Sequence, residues 1–302
     1  MKVLLTGSTG FVGSQLARRL RERGHVPLEV SRRPGAAYDW SPERLRLGVN
    51  EADAIVHLAG ENLFAKRWSE RRKAALRASR IETTRALAKL VAARAPAVLV
   101  SASAVGWYGA SDGRELVEGA PRGSGFLAEL CAEWEEATED ALEAGVRTAI
   151  VRIGVVLGRG GGALAKMLLP FRLGLGGPLG NGRQWVSWIH LDDLCALFVH
   201  LLEHERCAGA FNATAPQPVT MKELSSALGR VLHRPALLPA PAPMLRLALG
   251  EVADVLLTGQ RVLPRRALES GFRFAHPALE PALRDLLGKP DSRRPEAVGR
   301  HP

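Results

Sequence analysis

The residues most able to do chemistry are in the stretch GSTGFVG at positions 7–13, directly after the apolar run Val3–Leu5. Its glycines are spaced G-x-x-G-x-x-G, and an amphipathic segment follows. Backbone N–H groups at such a strand–turn–helix junction bind a dinucleotide pyrophosphate. The alternative, a tight turn with no ligand, is less favoured because strand, loop and helix occur in the order that the fold requires. The predicted cofactor contacts in this loop are Gly7, Thr9, Gly10, Phe11, Val12 and Gly13.

The end of the second apolar run, Val26–Val30, distinguishes between the two nicotinamide cofactors. A site for NAD usually has an acidic residue here for the ribose 2′-hydroxyl, whereas this chain has Ser31 followed by Arg32 and Arg33. Guanidinium groups match the geometry of a 2′-phosphate. We therefore expect NADP(H), against the alternative that both arginines are simply solvated on a turn.

Composition sets further limits on function. The 302 residues carry a formal net charge of +10, but the arginines are spread among glutamates without interleaved aromatic residues, so no specific nucleic-acid site is expected. No apolar run is long enough to cross a membrane, and the first strand begins at Lys2, leaving no room for a targeting peptide. Cys131, Cys195 and Cys207 lack metal-ligand spacing and are expected to be reduced core residues of a cytoplasmic protein.

Strand-like runs alternate with helix-like segments through the first half of the chain. This pattern predicts an α/β fold, a Rossmann-type doubly wound parallel sheet with helices on both faces and a smaller C-terminal α/β substrate subdomain. The expected divisions are residues 1–153 for the NADP-binding domain, with the sheet completed by later segments, residues 154–288 for the lid and substrate subdomain, and residues 289–302 for a disordered tail. A long helix is expected within Gly123–Ala144, and a glycine-rich loop or lid within Gly158–Gly182, around the segment Ala163–Leu173.

Four motifs carry a family resemblance: GSTGFVG, DAIVHLAG at 53–60, SASAVGWYG at 101–109 and SWIHLDDL at 187–194. With them the chain resembles the extended short-chain dehydrogenase/reductase superfamily, in its nucleotide-sugar epimerase-like group. More narrowly, HLAGENL, FLAELCAEWE, the long run at 161–190 and GQRVLPRRALESGFRF resemble the atypical YfcH-like epimerase family with a DUF1731-type C-terminus. The resemblance extends to about residue 288 and implies that Leu58, Ala59 and Gly60 also contact the cofactor.

The catalytic pair of that superfamily is missing. Its reductases use Tyr and Lys in a Y-x-x-x-K arrangement, which places both side chains on one helix face. In this chain Phe126 and Leu130 stand at the corresponding places, and neither Tyr38 nor Tyr108 is followed by Lys four residues later. The standard proton relay therefore cannot operate.

Other polar residues near the expected cleft are candidates for its chemistry. We expect catalytic roles for Ser103, Tyr108 and Glu61, with the alternatives that Tyr108 packs over its loop with the hydroxyl in water and that Glu61 caps a loop. Substrate contacts are expected from Asn62, Lys166, Arg183 and His190, although a structural role is the stronger interpretation of His190. The scattered histidines predict no metal site.

Two functions remain open from the sequence. One is an NADP-dependent epimerase or reductase that acts on a small polar, nucleotide-sugar-like molecule. The other is a catalytically inactive NADP(H)-binding sensor or partner-binding protein, which the missing Tyr/Lys pair favours. The partner expected is a small-molecule substrate, and the assembly considered is a homodimer.

Overall fold

The computed structural model describes residues 1–33 and 35–288. In chain order, the strands are β1 (Lys2–Thr6), β2 (Val26–Val30), β3 (Ala54–His57), β4 (Val98–Ala104), β5 (Glu115–Leu116), β6 (Thr148–Ile153), β7 (Val155–Gly158), β8 (Trp185–Val186), β9 (Trp188–His190), β10 (Gly209–Ala213), β11 (Val219–Thr220) and β12 (Arg261–Val262). The α-helices are α1 (Phe11–Glu22), α2 (Pro42–Glu51), α3 (Glu70–Arg94), α4 (Phe126–Glu136), α5 (Glu139–Glu143), α6 (Gly162–Arg172), α7 (Leu191–Glu203), α8 (Met221–Leu232), α9 (Ala242–Leu249), α10 (Val252–Leu257), α11 (Arg265–Glu269) and α12 (Leu279–Leu287).

Six parallel strands form the central sheet in the order β10-β6-β4-β3-β1-β2. Val3, Leu5 and Val56 are fully buried, as expected for strands covered by helices on both faces. After β1 the chain forms β2 on one side and then returns to form β3 on the other. This reversal opens a crevice beyond the carboxyl ends of β1 and β3, where ligands bind in such sheets. The predicted doubly wound fold is confirmed.

The helix expected within Gly123–Ala144 divides into α4 and α5. At the junction, both the backbone N–H and the hydroxyl of Thr138 donate to the carbonyl oxygen of Glu135, at 3.1 and 2.7 Å. Hydrogen bonds between residues three apart tighten the last turn and end the regular helix. The prediction of one continuous helix was therefore wrong, because periodicity does not show where a hydroxyl competes for a helical carbonyl.

The glycines of the expected lid allow close packing within the protein. A Cβ atom on Gly161 would lie 2.5 Å from the ring of Phe11, and one on Gly177 would lie 2.0 Å from the carbonyl oxygen of Leu238. Between these glycines lies α6, whose Phe171 and Leu164 are buried in a second core with α8 and α12. Glycines in the segment Gly174–Gly182 allow either a hinge or close approach to a ligand, and at Gly177 the structure adds close approach to the chain itself.

The C-terminal half contributes to both cores. β10 completes the central sheet, while α8 and α12 belong to the second core. Cys131, Cys195 and Cys207 are buried and unpaired. No helix of residues 1–33 and 35–288 combines the length and apolar character needed to cross a membrane. The predicted tail at 289–302 lies outside the described residues.

Candidate functional site

The glycine-rich turn joins β1 to α1 at the crevice of the sheet. Gly7 has a φ of +71°, and a Cβ there would lie 2.9 Å from the backbone of Leu58. A Cβ on Gly13 would lie only 2.1 Å from the carbonyl oxygen of Gly7. The fold itself therefore requires both glycines. Gly10 differs, since the only atom within 4 Å of its added Cβ would be the Gly7 oxygen, at 3.2 Å.

The start of α1 offers donors to an anion. Gly10 is its N-cap residue and supplies no capping side chain, and the first turn contains no acidic residue. Within the described part of the chain, the N–H groups of Phe11, Val12 and Gly13 have no hydrogen-bond acceptor. The buried hydroxyl of Ser8 also has no hydrogen-bond partner among residues 1–33 and 35–288. Free amides at a helix N-terminus fit a pyrophosphate, so the loop has the donors that a dinucleotide needs.

Ser31, Arg32 and Arg33 lie where β2 ends, beside this loop. The hydroxyl of Ser31 accepts a hydrogen bond from the N–H of Arg33 at 3.1 Å, and the N–H of Ser31 donates to the carbonyl of Tyr38 at 3.0 Å. Arg32 and Arg33 are exposed, and neither forms an ion pair with a carboxylate among residues 1–33 and 35–288. Two guanidinium groups on a fixed turn fit a 2′-phosphate.

A buried hydrogen-bond chain fixes the ends of β1 and β3. The hydroxyl of Thr6 accepts the N–H groups of Leu58 and Ala59, at 3.1 and 3.3 Å, and lies 2.7 Å from Nδ1 of His57. The other ring nitrogen of His57 lies 2.9 Å from the hydroxyl of Thr84. Burial lowers the pKa of His57 to about 4, so the ring is neutral at pH 7. In the sequence, the only sign of this role for His57 is its place at the end of an apolar strand.

The loop after β3 rests on a buried arginine. A Cβ on Gly60 would lie 3.2 Å from the guanidinium carbon of Arg80, whose Nη2 donates to the carbonyl of Glu61 at 2.8 Å. Arg80 also lies over the ring of Trp134, at 5.2 Å from its centroid. Burial lowers the pKa of Arg80. This cation supports the loop that carries Leu58, Ala59 and Gly60, and no motif in the sequence indicated it.

Glu61 and Asn62 lie at the exposed mouth of the crevice. The carboxylate of Glu61 pairs with Arg72, whose other guanidinium nitrogen donates to the carbonyl of Asn62 at 2.6 Å. The side chain of Asn62 accepts the N–H of Phe64 at 2.8 Å and so shapes a turn. On the opposite side, the ammonium of Lys166 lies 3.5 Å from the carbonyl of Phe64. The structure thus brings Glu61, Asn62 and Lys166 around one loop.

Ser103 and Tyr108 belong to a buried polar network instead. Ser103 donates to Glu135 at 2.6 Å, and Glu135 accepts two bonds from Arg152 at 2.9 and 2.8 Å. Arg152 donates to the hydroxyl of Tyr108 at 3.1 Å, and that hydroxyl donates to Asn212 at 2.7 Å. Tyr108 is only 3% exposed, so the interpretation that its hydroxyl lies in water is corrected: buried partners hold it.

The environment of Tyr108 opposes its ionisation. Burial raises the pKa of its phenol, and the charge and hydrogen bond of Arg152 only partly offset this effect. Burial likewise raises the pKa of Glu118, whose carboxylate accepts the N–H of Asn212 at 3.0 Å. The network therefore joins β4, β6 and β10 below the crevice. The catalytic roles of Ser103 and Tyr108 remain predictions, and their surroundings favour a structural role.

Phe126 and Leu130 occupy α4, where the family resemblance places Tyr and Lys. The ring of Phe126 meets Trp68 edge to face at 5.0 Å, and the side chain of Leu130 is 2% exposed. Lys73 lies 5.5 Å from the Phe126 centroid but pairs with Glu251 at 2.7 Å. No neighbouring residue thus restores a Tyr/Lys relay within this part of the described chain.

Among the described residues, neither Arg183 nor His190 forms a hydrogen bond or ion pair with Glu61, Asn62 or Lys166. The side chain of Arg183 is exposed, and its N–H donates to Asn181 at 2.9 Å. His190 is buried and caps α7, because its Nδ1 accepts the N–H of Asp192 at 3.1 Å. Their substrate contacts remain predictions.

One histidine pair creates a possible metal-ligand grouping. Donor atoms of His190, His276 and Asp285 all lie within 4.8 Å of one another, and the two rings stack at 3.8 Å. Because Nδ1 of His190 accepts a backbone N–H, its proton must be on Nε2 in the neutral ring, which removes the lone pair that a metal would use. Nε2 of His190 lies 3.5 Å from the Asp285 carboxylate and has no hydrogen-bond acceptor among the described residues. The predicted lack of a metal site stays a prediction.

Comparisons with known proteins agree with this architecture. Residues 3–213 match the NAD dependent epimerase/dehydratase family, and residues 240–286 match a domain of unknown function, DUF1731. Epimerase family protein SDR39U1 of Mus musculus is 42% identical over 294 residues, which cover 95% of this chain and all of that protein. Epimerase family protein YfhF of Bacillus subtilis is 37% identical over 302 residues, covering 95% of this chain and 98% of that one.

Solved structures give the same result. The crystal structure of human SDR39U1 isoform 2 with NADPH has a TM-score of 0.88 and 39% identity, covering 95% of this chain and 99% of that chain. UDP-glucose 4-epimerase of Thermotoga maritima, solved with UDP-glucose, has a TM-score of 0.76 at 18% identity and so shares the fold. The family expected from the motifs is confirmed: this chain belongs to the NAD dependent epimerase/dehydratase family of extended short-chain dehydrogenases/reductases and carries a C-terminal DUF1731 domain.

Proposed function

We propose that the protein binds NADP(H) in the crevice beyond β1 and β3 and uses it in an oxidoreductase or epimerase reaction. The observation that carries the proposal is the combination of unpaired amides at the start of α1 with Arg32 and Arg33 at the end of β2. The pyrophosphate would lie against Gly10, Phe11 and Val12, and the 2′-phosphate against the arginines. A similar protein, human SDR39U1, was crystallised with NADPH, which supports this choice of cofactor.

When bound, this cofactor supplies or accepts hydride at a carbonyl or hydroxyl carbon. The chain must then position the substrate and provide a path for its proton. Glu61 is the candidate with access, because its side chain is 43% exposed beside Arg72 at the mouth. Ser103 and Tyr108 are enclosed by their network, so Glu61 or a water molecule near it is the proton carrier that we favour.

A calorimetric comparison of NADPH and NADH tests the cofactor assignment. The parent should bind NADPH at least about 10-fold more tightly, because one charge-assisted contact to phosphate contributes roughly 1.5–3 kcal/mol. The double variant Arg32→Ala/Arg33→Ala should lose this preference while its NADH affinity changes little. A matched control is Arg18→Ala/Arg19→Ala on the outer face of α1. Equal affinities of the parent for both cofactors would contradict the proposal.

The second candidate is a catalytically inactive NADP(H)-binding sensor. It is favoured by Phe126 and Leu130, whose packing excludes a proton relay at the usual place. Absorbance at the nicotinamide band during a screen of carbonyl and hydroxyl compounds separates the two candidates. A substrate-dependent change favours the enzyme. Tight NADPH binding with no turnover across the screen favours the sensor.

A further inference from the structure

The exposed face of α6 is unusually apolar for a surface helix. Leu169 and Leu173, the residue that caps the end of the helix, are 66% and 65% exposed. Leu169 follows Lys166 by three residues and Leu173 follows Leu169 by four, so all three side chains lie on one face. The ammonium of Lys166 lies 5.6 Å from the centroid of Phe64, which is itself 39% exposed. This face of α6 therefore lies next to the loop that follows β3.

α9 lies between the segment after α6 and the loop after β3. Just before it, Leu238 and Ala240 donate backbone hydrogen bonds to Gly176 and Pro178 in the segment after α6, at 3.2 and 2.9 Å. Just after it, a Cβ on Gly250 would lie 3.3 Å from the guanidinium of Arg67, in the loop after β3. α9 thus runs from the far end of α6 to the loop of Phe64.

The side chains of α9 add to the apolar surface. The helix has no buried residue, and Met244 and Leu247 are 66% and 80% exposed. We define the apolar groove as the surface of Phe64, Leu169, Leu173, Met244 and Leu247. Contiguous exposed apolar surface on a protein is typical of a site that binds a ligand or partner.

The start of α6 lies against the start of α1, at the proposed cofactor site. α6 begins against Phe11, the first residue of α1, since a Cβ on Gly162 would lie 2.8 Å from that ring. Lys166 follows one turn later, and Leu173 lies about 10 Å further along the helix at 1.5 Å per residue. A molecule in the groove would therefore have its polar end near the crevice and its apolar part directed away from it.

The charges around the groove favour an anionic head group. Lys166 and Arg67 have no carboxylate within ion-pair distance among the residues that the structure describes. The neighbouring acids are already paired, Glu61 with Arg72 and Glu251 with Lys73 at 2.7 Å. The polar end of the groove is thus cationic.

We infer that the substrate is an amphipathic anion, an apolar chain whose anionic head group lies at Lys166 and whose chain lies along Leu169, Leu173 and Met244. This inference rests on the proposed function and replaces the small polar substrate expected from the sequence. A sugar nucleotide would leave the apolar side chains in water, whereas an alkyl chain would cover them and gain the free energy of burial.

Calorimetry on the full chain with saturating NADPH tests the inference. The probes are hexanoate, octanoate and decanoate below their micellar concentrations, decyltrimethylammonium as the cation of equal chain length, and UDP-glucose as the polar comparator. Each added pair of methylenes should tighten binding by up to about 15-fold, from the transfer free energy of a buried CH₂. Decanoate should bind at least about 10-fold more tightly than either comparator.

Variants assign the contacts. Leu169→Asp should weaken decanoate at least about 10-fold, while the equally simple change Leu47→Asp, at a 54% exposed leucine of α2, should leave its affinity unchanged. Lys166→Gln should abolish the preference for decanoate over decyltrimethylammonium. The affinity for NADPH, measured on the same proteins without the probe, should equal that of the parent in all three variants. If the parent itself did not bind NADPH, the proposed function would be overturned rather than this inference.

Three results would overturn the inference. The first is affinity that does not grow with chain length, and the second is tighter binding of UDP-glucose than of decanoate. The third is a monomer–dimer equilibrium, seen by sedimentation, that Leu169→Asp abolishes in a parent that binds no carboxylate. That third result would make the groove an interface between copies of this chain.

Discussion

Tyr108 and Glu61 have opposite surroundings, although the sequence presents both as polar residues after a strand. Tyr108 has a buried donor and a buried acceptor, Arg152 and Asn212, whereas the half-exposed carboxylate of Glu61 pairs, among the described residues, with Arg72 alone. A group that must exchange a proton with substrate needs access to it. The environment therefore separates a structural phenol from a carboxylate that is available for chemistry.

We expect different effects from removing these two groups. Tyr108→Phe should lower the free energy of unfolding by about 1–3 kcal/mol, because it leaves buried partners unpaired. Glu61→Gln should reduce turnover of a substrate at least about 10-fold with little change in stability. Urea unfolding and steady-state kinetics of both variants, with Ser103→Ala and the exposed control Glu70→Gln, check this. A stable Tyr108→Phe variant with at least 10-fold slower turnover would return the acid role to Tyr108.

His57 predicts a dependence of stability on pH. Its pKa in the folded protein is lowered to about 4, so between pH 6.5 and 4 the unfolded chain binds a proton that the folded chain does not. The stability contributed by the neutral ring is fully present above about pH 6.5 and is lost as the pH falls. Between pH 7 and pH 5 the loss should be about 2 kcal/mol.

Urea unfolding at these two pH values measures the effect. His57→Gln should be less stable than the parent at pH 7 but should lose about 2 kcal/mol less between pH 7 and pH 5. The control is His233→Asn, at an exposed residue with a φ of +53° that asparagine also adopts. If the parent and His57→Gln had the same pH dependence, the buried neutral ring would not be its source.

At the scale of elements, the phosphate loop shows that three glycines in one motif serve different purposes. Gly7 and Gly13 allow the loop to pass close to the residues after β3 and to itself, whereas a Cβ on Gly10 would meet the Gly7 oxygen at 3.2 Å, a milder contact, and Gly10 has an ordinary φ of −81°. Only Gly10 is therefore a position where a side chain would obstruct a ligand more than the fold.

This distinction predicts different outcomes for two substitutions. Gly10→Val should abolish NADPH binding while keeping the parental melting temperature within a few degrees, because its branched side chain occupies the space of the pyrophosphate. Gly13→Ala should lower the melting temperature markedly, since its Cβ would overlap the carbonyl oxygen of Gly7. Thermal melts with and without NADPH check both. A Gly10→Val variant that NADPH still stabilises would mean that the phosphate lies elsewhere.

At the scale of the whole molecule, the C-terminal half is attached to the sheet at several places. The side chain of Asn212 in β10 donates to the carbonyl of Leu263 at 3.0 Å, and the N–H groups of Ala275 and His276 donate to buried Asp193 at 2.8 and 2.9 Å. The second core, with α8 and α12, lies in this half. These contacts and the burial of Leu164 and Phe171 of α6 in that core fix most of the half, so we look for ligand-dependent movement in the segment after α6.

Hydrogen exchange can locate that movement. Amides of Gly180 and Gly182 donate to Ala240 and Leu179 at 2.8 and 3.1 Å, so the segment Gly174–Gly182 already has partners. We expect its exchange to slow further when NADPH and an apolar-chain ligand are both present, with no change at the carboxyl end of α2, which leads into the start of β3 at the opposite edge of the sheet. Unchanged exchange in every ligand state would contradict closure by this segment.

Much of the fold and of the cofactor site could be predicted from local patterns. The order of Val3–Leu5, the glycine turn and an amphipathic helix determines the first βαβ unit, because each of these features depends on residues that are close together in the sequence. The position at the end of β2 of Ser31, Arg32 and Arg33 could be predicted in the same way, from residues close together in the sequence. The absence of a Tyr-x-x-x-Lys pair is likewise a property of the printed sequence alone.

Only the tertiary structure decided which polar groups are accessible. Tyr108, Arg152 and Asn212 lie tens of residues apart, so their enclosure in one network follows from the pairing of β4, β6 and β10 and from no local pattern. From the sequence alone, the exposed leucines of the α6 segment cannot be distinguished from core residues, because helical periodicity identifies an apolar face but does not show whether another part of the protein covers it. Burial depends on contacts between distant segments, and those contacts separate the network from the groove.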